Sequence, residues 1–542
     1  MKNTNTLLSI TNLKKYFPIA KSSIFQREQL YVRANEEITI DIQNGETFGL
    51  VGESGCGKST LGRTILQIYD QTAGSTMYYG RTLEEFVPQY VVKTLRSAPK
   101  MMLRYDKMRA KAEAAANECD AAGEAATFFQ HQKKNLTAAE AQTAFQNVVK
   151  ILGGFAALPD PREGAELLLK KFAVSVKLCK VEDKIRDLDG AIAMHEAIAK
   201  ELCEDQTVAK RDALITKASR NADAARRKRE KLLPVKEALQ AQVTEAKQLI
   251  DAFKSQYANN PLFQEYEGML DNGIDLSRLK YSEMRILRKD IQIIFQDPYS
   301  SLNPRMTVGQ IIGEGLTTHK FFKAHDPKMK DYILGVMEQC GLQDYMLHRY
   351  PHQFSGGQRQ RICIARALAV KPKFIVCDEC VSALDVSIQS QIINLLEELK
   401  EKENLTYLFI SHDLSVVRYI SDRIGVMYLG NMVELGTSEE LFADPRHPYT
   451  VALLSSIPTT DMNALQKERI ILEGNIPSPI RPPEGCKFHT RCYMACEKCS
   501  RVPPPTVEVT PGHFVSCHFA ERKVDENGNY LFKRNADNGE LL

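Results

Sequence analysis

The chain has almost no excess of charge of either sign. Its 542 residues carry 71 Lys+Arg against 68 Asp+Glu, a formal net charge of +3. That excludes a strong overall field for nucleic acid, and no nucleic-acid partner is expected. No apolar run approaches the ~20 residues that span a bilayer. The start, Met1-Lys2-Asn3-Thr4-Asn5-Thr6, lacks a cationic segment followed by an apolar stretch, so no signal peptide is expected. Proline is missing between Pro161 and Pro234, which leaves that stretch free of helix breakers. The length suits two or three domains. The 13 cysteines are mostly scattered in apolar runs, as at Cys363 and Cys377, in the manner of reduced core thiols.

The most informative run is Gly52-Glu53-Ser54-Gly55-Cys56-Gly57-Lys58-Ser59-Thr60. It fits G-x-x-x-x-G-K-[ST]. The glycines let backbone N–H groups turn inward around phosphates, Lys58 reaches the β/γ-phosphates, and Ser59 ligates Mg²⁺. Thr47–Val51 reads as a buried strand before the loop and Leu61–Leu66 as a helix after it. A merely glycine-rich turn would not bring strand, loop and helix into this register.

A second set of signals lies far downstream. Phe354-Ser355-Gly356-Gly357-Gln358 precedes a helix-like Ile362–Ala369. Phe374-Ile375-Val376-Cys377-Asp378-Glu379 reads as a buried parallel strand with two acids at its C-terminal end, where open α/β sheets bind ligands. Asp378 is placed to hold Mg²⁺ through water, and Glu379 to polarise a water for in-line attack. Ser382-Ala383-Leu384-Asp385 and Tyr407–Asp413, with His412 at a strand end, follow. Alone, a strand-ending His is usually a core or surface residue, and SGGQ is often a turn.

Together these residues resemble the nucleotide-binding subunit of an ABC transporter, in the family's order: phosphate loop 52–60, glutamine loop at Gln296, signature 354–358, strand acids Asp378 and Glu379, D-loop 382–385 and switch histidine His412. The stretches 297–305, 445–454 and 485–492 resemble ATPases of oligopeptide and dipeptide importers, and the loop and signature look like the F-type subunit of the pair. The likeness covers roughly residues 5–80 and 273–520. It implies an α/β P-loop fold of ABC type, with a mixed sheet and a helical signature subdomain at about 300–370. It implies ATP and Mg²⁺, the metal held by Ser59, Gln296 and Asp378. Glu379 acts as general base, His412 holds the γ-phosphate and attacking water, and Gln296 senses Mg²⁺ and the permease. Ser355, Gly356, Gly357, Gln358 and Asp385 act across ATP on a second subunit. An early aromatic stacks on adenine: Phe17 aligns better, with Tyr16 as the other candidate. Implied partners are two transmembrane permease subunits, a different second ATPase and, indirectly, an extracellular substrate-binding protein. The implied place is the cytoplasmic face of the plasma membrane, and the implied function is ATP-driven peptide import. Nickel or another small solute is an alternative cargo. Cys380 departs from the family, which has Pro there, and puts loop rigidity in doubt.

The same comparison divides the chain. Residues 1–80 and 272–455 form the nucleotide-binding domain, 81–271 an insertion, and 456–542 a Pro- and Cys-rich tail whose last stretch, from Glu521, is expected to be frayed. The insertion is rich in helix formers. Val181, Ile185, Leu188, Ile192, His195, Ala199 and Leu202 recur at 4,3-type spacings, and Val235, Leu239, Val243, Ala246, Ile250 and Phe253 continue a similar stripe. That predicts an all-α helical hairpin or coiled-coil arm, its ends close together in space. The cluster Arg226-Arg227-Lys228-Arg229 reads as a solvated helix face more readily than as a lipid or acidic-partner contact. A chromosome-maintenance ATPase with an inserted coiled coil is the other function class. There the coil separates glutamine loop from signature, whereas here it precedes Gln296. In the tail, Cys486, Cys492, Cys499 and Cys517, with Cys496 as an extra thiol, suit a [4Fe–4S] cluster, with Zn²⁺ or free thiols as alternatives and His489 and His518 as alternate ligands. The role expected for such a site is structural, because it lies far in sequence from the phosphate loop.

Overall fold

The structure is a computed structural model that describes residues 5–20, 29–123, 126–204, 211–322, 326–457 and 470–520. The stretch from Glu521 lies outside the described residues. The chain divides into two compact units: Met1–Gly80 with Asp275–Leu542, and Arg81–Ile274.

In the first unit, β1 (Thr6–Pro18) pairs antiparallel with β2 (Tyr31–Gln43) on one side and β4 (Ala73–Tyr78) on the other. A second sheet has the order β11-β12-β10-β9-β3-β8-β7-β6, built from β3 (Thr47–Val51), β6 (Ile291–Ile294), β7 (Phe374–Asp378), β8 (Thr406–Ile410), β9 (Arg423–Tyr428), β10 (Asn431–Thr437), β11 (Thr506–Thr510) and β12 (His513–Ser516). Strands β6, β7, β8, β3 and β9 run parallel. Every residue of β3, β7 and β8 is buried, as expected of strands covered on both faces, which explains their unbroken apolar runs. The turn between β9 and β10 uses Leu429 (φ 43°) and Gly430 (φ 82°), the paired left-handed residues of a tight hairpin. Helices Val308–Thr318, Pro327–Gln339 and Gly356–Leu368 pack around Ile312, Met337 and Ile362. The chain leaves this unit after β4. It returns through β5 (Ile274–Asp275) into a 3₁₀ turn, Leu276–Arg278, that packs against β4.

The tail is more regular than its prolines suggest. Strands β11 and β12 form a hairpin that extends the second sheet through β10. His513 Nε2 lies 2.9 Å from Glu434 Oε1, both side chains buried, and Glu434 also accepts from the Arg446 and His447 amides. Pro503, Pro504 and Pro505 precede the hairpin and Pro511 sits in its turn, so none interrupts the ladder.

The second unit is all helical. Helices Arg162–Glu204 and Arg211–Ser255 pack along one another. The ion pairs Arg229–Asp189 (2.6 Å), Lys236–Glu182 (3.3 Å) and Arg226–Glu196 fix the pair as antiparallel, because one number rises as the other falls. The cluster 226–229 is thus partly engaged by the neighbouring helix rather than wholly solvated. The second stripe needs one correction. Val235 is 45 % exposed. Buried positions recur instead at Ala218, Ala222, Ala225, Val243 and Ile250, a 4,3 seam that passes Val235 by. The helix runs on through Pro234. Helices Ala98–Ala122 and Phe128–Leu152 form another pair, and Phe155, Phe253 and Phe263 pack edge to face at the base.

Candidate functional site

The phosphate loop joins β3 to helix Lys58–Ile65. Gly52, Gly55 and Gly57 have φ of 146°, 79° and 103°. A Cβ on Gly57 would sit 2.2 Å from the Ala34 carbonyl oxygen, so both conformation and space demand glycine there. Gly57 is also the N-cap and offers no side-chain acceptor, which leaves the first helical N–H groups free to meet an anion. Lys58 is buried, and its Nζ donates to the carbonyls of Gly52 (2.7 Å) and Glu53 (3.1 Å).

A cleft of about 380 Å³ opens over this loop. Among its walls are Phe17, Ser54, Gly55, Gly57, Lys58, Ser59, Thr60, Gln296 and Glu379. Phe17 reaches the cleft and packs edge-on against Tyr69. Tyr16 is buried and donates its hydroxyl hydrogen to Glu36 at 2.6 Å, so of the two aromatics only Phe17 is free to face a ligand.

Three groups meet opposite the loop. Gln296 Nε2 donates to Glu379 Oε2 at 2.9 Å, and His412 Nδ1 lies 3.6 Å from that oxygen. Glu379 has φ 49°, a left-handed conformation that costs a non-glycine residue about 1–2 kcal/mol. Its amide donates to Ile410 and its carbonyl accepts from Ser382, which hold the turn. Asp378 is buried at the end of β7. One oxygen accepts from Arg63 at 3.1 Å, while Oδ1 has no hydrogen-bond partner among the described residues. A buried carboxylate oxygen without a donor, on a residue tied by Arg63 to the helix that Lys58 and Ser59 begin, fits the oxygen chemistry of a hydrated Mg²⁺. Cys380, where the family resemblance implies Pro, is buried.

The other expected residues stand apart from the cleft walls. Ser355 caps helix Gly356–Leu368 in a capping box with Gln358; Ser355 is exposed and Gly356 half-buried at the start of that helix, while Gly357 is buried against Ile388. Asp385 precedes helix Val386–Glu403 and is exposed. Gly52, Glu53 and Cys56 form the back of the loop rather than its lining. Burial pushes the Cys56 thiol up despite nearby Lys58.

The sequence reading missed how the tail grips the loop. Arg491 donates twice to the Glu53 carboxylate, at 2.8 and 3.1 Å, and Tyr449 Oη accepts from the Glu53 amide at 2.9 Å. Pro479 lines the cleft and its carbonyl accepts from the Arg33 amide at 3.1 Å. Lys487 bonds Glu36 at 2.8 Å. Burial acts to raise the Glu36 carboxyl, but the Lys487 ammonium, hydrogen bonds from Lys487 and Tyr16, and the charge of Arg33 hold it down at about 2. Arg491 and Tyr449 stood inside stretches quoted for the family likeness, but no local pattern joins positions so far apart in sequence. The tail segment beside Cys492, far from the phosphate loop in sequence, thus touches that loop in space through Arg491.

The tail thiols crowd together. Burial first, and the neighbouring thiols after it, push Cys492 up to about 12 and Cys499 up to about 11. Cys496 Sγ lies 3.6 Å from Cys499 Sγ. The amides of Met494 and Phe519 point at the sulfurs of Cys492 and Cys517, each at 3.4 Å. His489 and His518 turn to backbone carbonyls. Among the described residues, no three His, Cys, Asp or Glu side chains converge closely enough to hold a metal ion.

The family described as "ABC transporter" matches residues 35–163 and 258–382, and "Oligopeptide/dipeptide transporter, C-terminal region" matches 433–499. The oligopeptide transport ATP-binding protein AppF of Bacillus subtilis (strain 168) is 54 % identical over 260 residues, 47 % of this chain and 78 % of the relative. The chain belongs to the ABC transporter ATP-binding family. OppF of Salmonella typhimurium (strain LT2), another oligopeptide transport ATP-binding protein, is 52 % identical over 247 residues, 45 % of this chain and 73 % of the relative. Among solved structures, cbiO1 from Clostridium perfringens aligns with a TM-score of 0.37 and 14 % identity over 81 % of this chain and 92 % of that one. As a member of this family the chain is an ABC-type ATPase subunit. No helix among the described residues is long and apolar enough to cross a membrane.

Proposed function

We propose that this protein hydrolyses ATP at the Lys58–Glu379 cleft to energise import of oligopeptides or dipeptides, from the cytoplasmic face of the membrane, docked on two permease subunits. The observation that carries the chemistry is Glu379, held in a left-handed turn between Gln296 and His412 and facing Lys58 across the cleft. Lys58 and the free amides of the loop bind the β/γ-phosphates. Phe17 stacks on the base. Ser59, Gln296 and Asp378 hold Mg²⁺, which supplies charge neutralisation between the phosphates. Glu379 Oε2 accepts the proton of the attacking water, and His412 orients that water and the γ-phosphate. Ser355, the outward start of its helix and Asp385 have no role in their own cleft. They serve the ATP of a second, different ATPase subunit that closes head to tail and excludes water. Peptide cargo is supported by what the relatives are named for and by the matched tail region.

The test is reconstitution with the permease pair and the second ATPase in vesicles. ATP-dependent peptide uptake, lost on Lys58→Ala, is expected. Uptake of a metal or other small solute but no peptide would overturn the cargo. Robust turnover by this subunit alone would overturn the pairing.

Two finer readings accompany this. We read the long antiparallel helices as a two-stranded coiled-coil arm, supported by the 4,3 seam and the cross-helix ion pairs. We read Cys486, Cys492, Cys499 and Cys517, with Cys496 in reserve, as ligands of a [4Fe–4S] cluster, supported by their spacing in the tail and by the amides aimed at the sulfurs of Cys492 and Cys517, although among the described residues no three of these side chains converge on one point. Anaerobically purified protein is then brown with about four irons per chain. Colourless protein carrying about one zinc would favour the zinc site instead.

A further inference from the structure

Helices Gln89–Arg96 and Ala98–Ala122 of the inserted unit meet at Ser97, and the elbow bounds an open cleft of about 940 Å³. Lys93, Arg96, Lys100, Arg104 and Lys107 line it, and no acidic residue does. All five are exposed, and among the described residues none is in an ion pair. This is unusual for the chain, whose charges nearly cancel. It also contrasts with the long hairpin of the same unit, where Arg226, Arg229 and Lys236 each find an acid on the facing helix. Between the cations stand Val92, Met101 and Leu103, and Leu103 is 56 % exposed.

We propose that this elbow docks the inserted unit on an anionic phospholipid surface. Five uncompensated cations create an attractive field for lipid phosphates, and Leu103 and Met101 insert beside them. A single-stranded nucleic acid would call for aromatic stacking platforms, and no aromatic residue lines the cleft. A specific small anion would call for buried, pre-aimed donors, whereas these side chains are long and exposed. The proposal rests on the membrane-associated reading above, because only a subunit held at a membrane profits from such a contact.

The experiment is co-sedimentation of the full chain with vesicles of phosphatidylcholine alone and with phosphatidylglycerol added, over a range of salt, with ATP binding measured alongside. Binding is expected only to the anionic vesicles and is expected to weaken as salt rises. The triple variant K93Q/K100Q/K107Q is expected to lower the partition coefficient by about a hundred-fold, and K93R/K100R/K107R to retain it. ATP affinity is expected to stay unchanged in both variants, so a failure here is distinct from a failure of the ATPase reading. Equal binding to neutral vesicles, or anionic binding indifferent to the Gln variant, would overturn the proposal. So would capture of an acidic polypeptide or RNA by these residues without vesicle binding.

Discussion

In β3, Thr47–Val51, every residue is buried, whereas along Arg211–Ser255 burial is confined to Ala218, Ala222, Ala225, Val243 and Ile250, all on one 4,3 seam. The two regions solve different packing problems. A central parallel strand is covered on both faces by segments from elsewhere in the chain, so its apolar run is continuous and says nothing about its neighbours. The hairpin helix needs one partner only, and its partner is the preceding helix. Its seam is therefore written into its own spacing, and its ion pairs with Glu182, Asp189 and Glu196 fix the register. The first unit keeps chemistry in strained, convergent loops. The second, among its described residues, holds paired helices and no such convergence of loops, so changes in one should leave the other alone.

The largest effect expected is on turnover. Glu379→Gln should cut ATPase activity of the assembled transporter by about 10²–10⁴-fold, or roughly 3–5 kcal/mol, with ATP binding intact. Steady-state ATPase and nucleotide titration check this. Near-normal turnover would remove Glu379 as the base.

Next comes the aromatic base of the insert. Phe155 is fully buried against Phe253 and Phe263. Phe155→Ala should cost that unit about 3–5 kcal/mol. Hydrogen exchange should show protection lost across 81–274 and kept in β3 and β7. Replacing 85–268 with a short Gly/Ser linker sharpens the same point: ATP affinity should survive. If nucleotide binding falls in either variant, the two units are not energetically separate.

A smaller effect is expected where the tail meets the loop. Arg491→Ala leaves the Glu53 carboxylate without its bidentate partner, next to phosphate, and should weaken ATP binding by about ten-fold, with Arg491→Lys restoring only part. Isothermal titration measures it. An unchanged affinity would mean that Tyr449 and the glycines hold the loop without the tail.

The smallest concerns the exposed ion pairs of the hairpin. Asp189→Asn removes the Arg229 contact, whose partners are both about half exposed, and should shift the melting of the insert by at most about 1 kcal/mol. A larger loss would mean that the hairpin depends on its charges more than on its seam.

Local chemistry was legible without the fold. The loop 52–60 and the strand acids are short patterns whose spacing reflects one strand, one turn or one helix start, the signature and His412 are legible only through the family resemblance, and the helical insert announces itself by period. Val235 shows the limit, because a stripe read at four-residue steps drifts off a seam that alternates four and three. Only the tertiary structure decided that Phe17 rather than Tyr16 faces the cleft, since the difference rests on a hydrogen bond to Glu36 on another strand. Only it decided that Glu379 sits between Gln296 and His412, and that Arg491 holds Glu53. Those contacts join residues 20, 83 and 438 positions apart, and which pairs meet is fixed by the order of strands in the sheets rather than by any pattern along the chain.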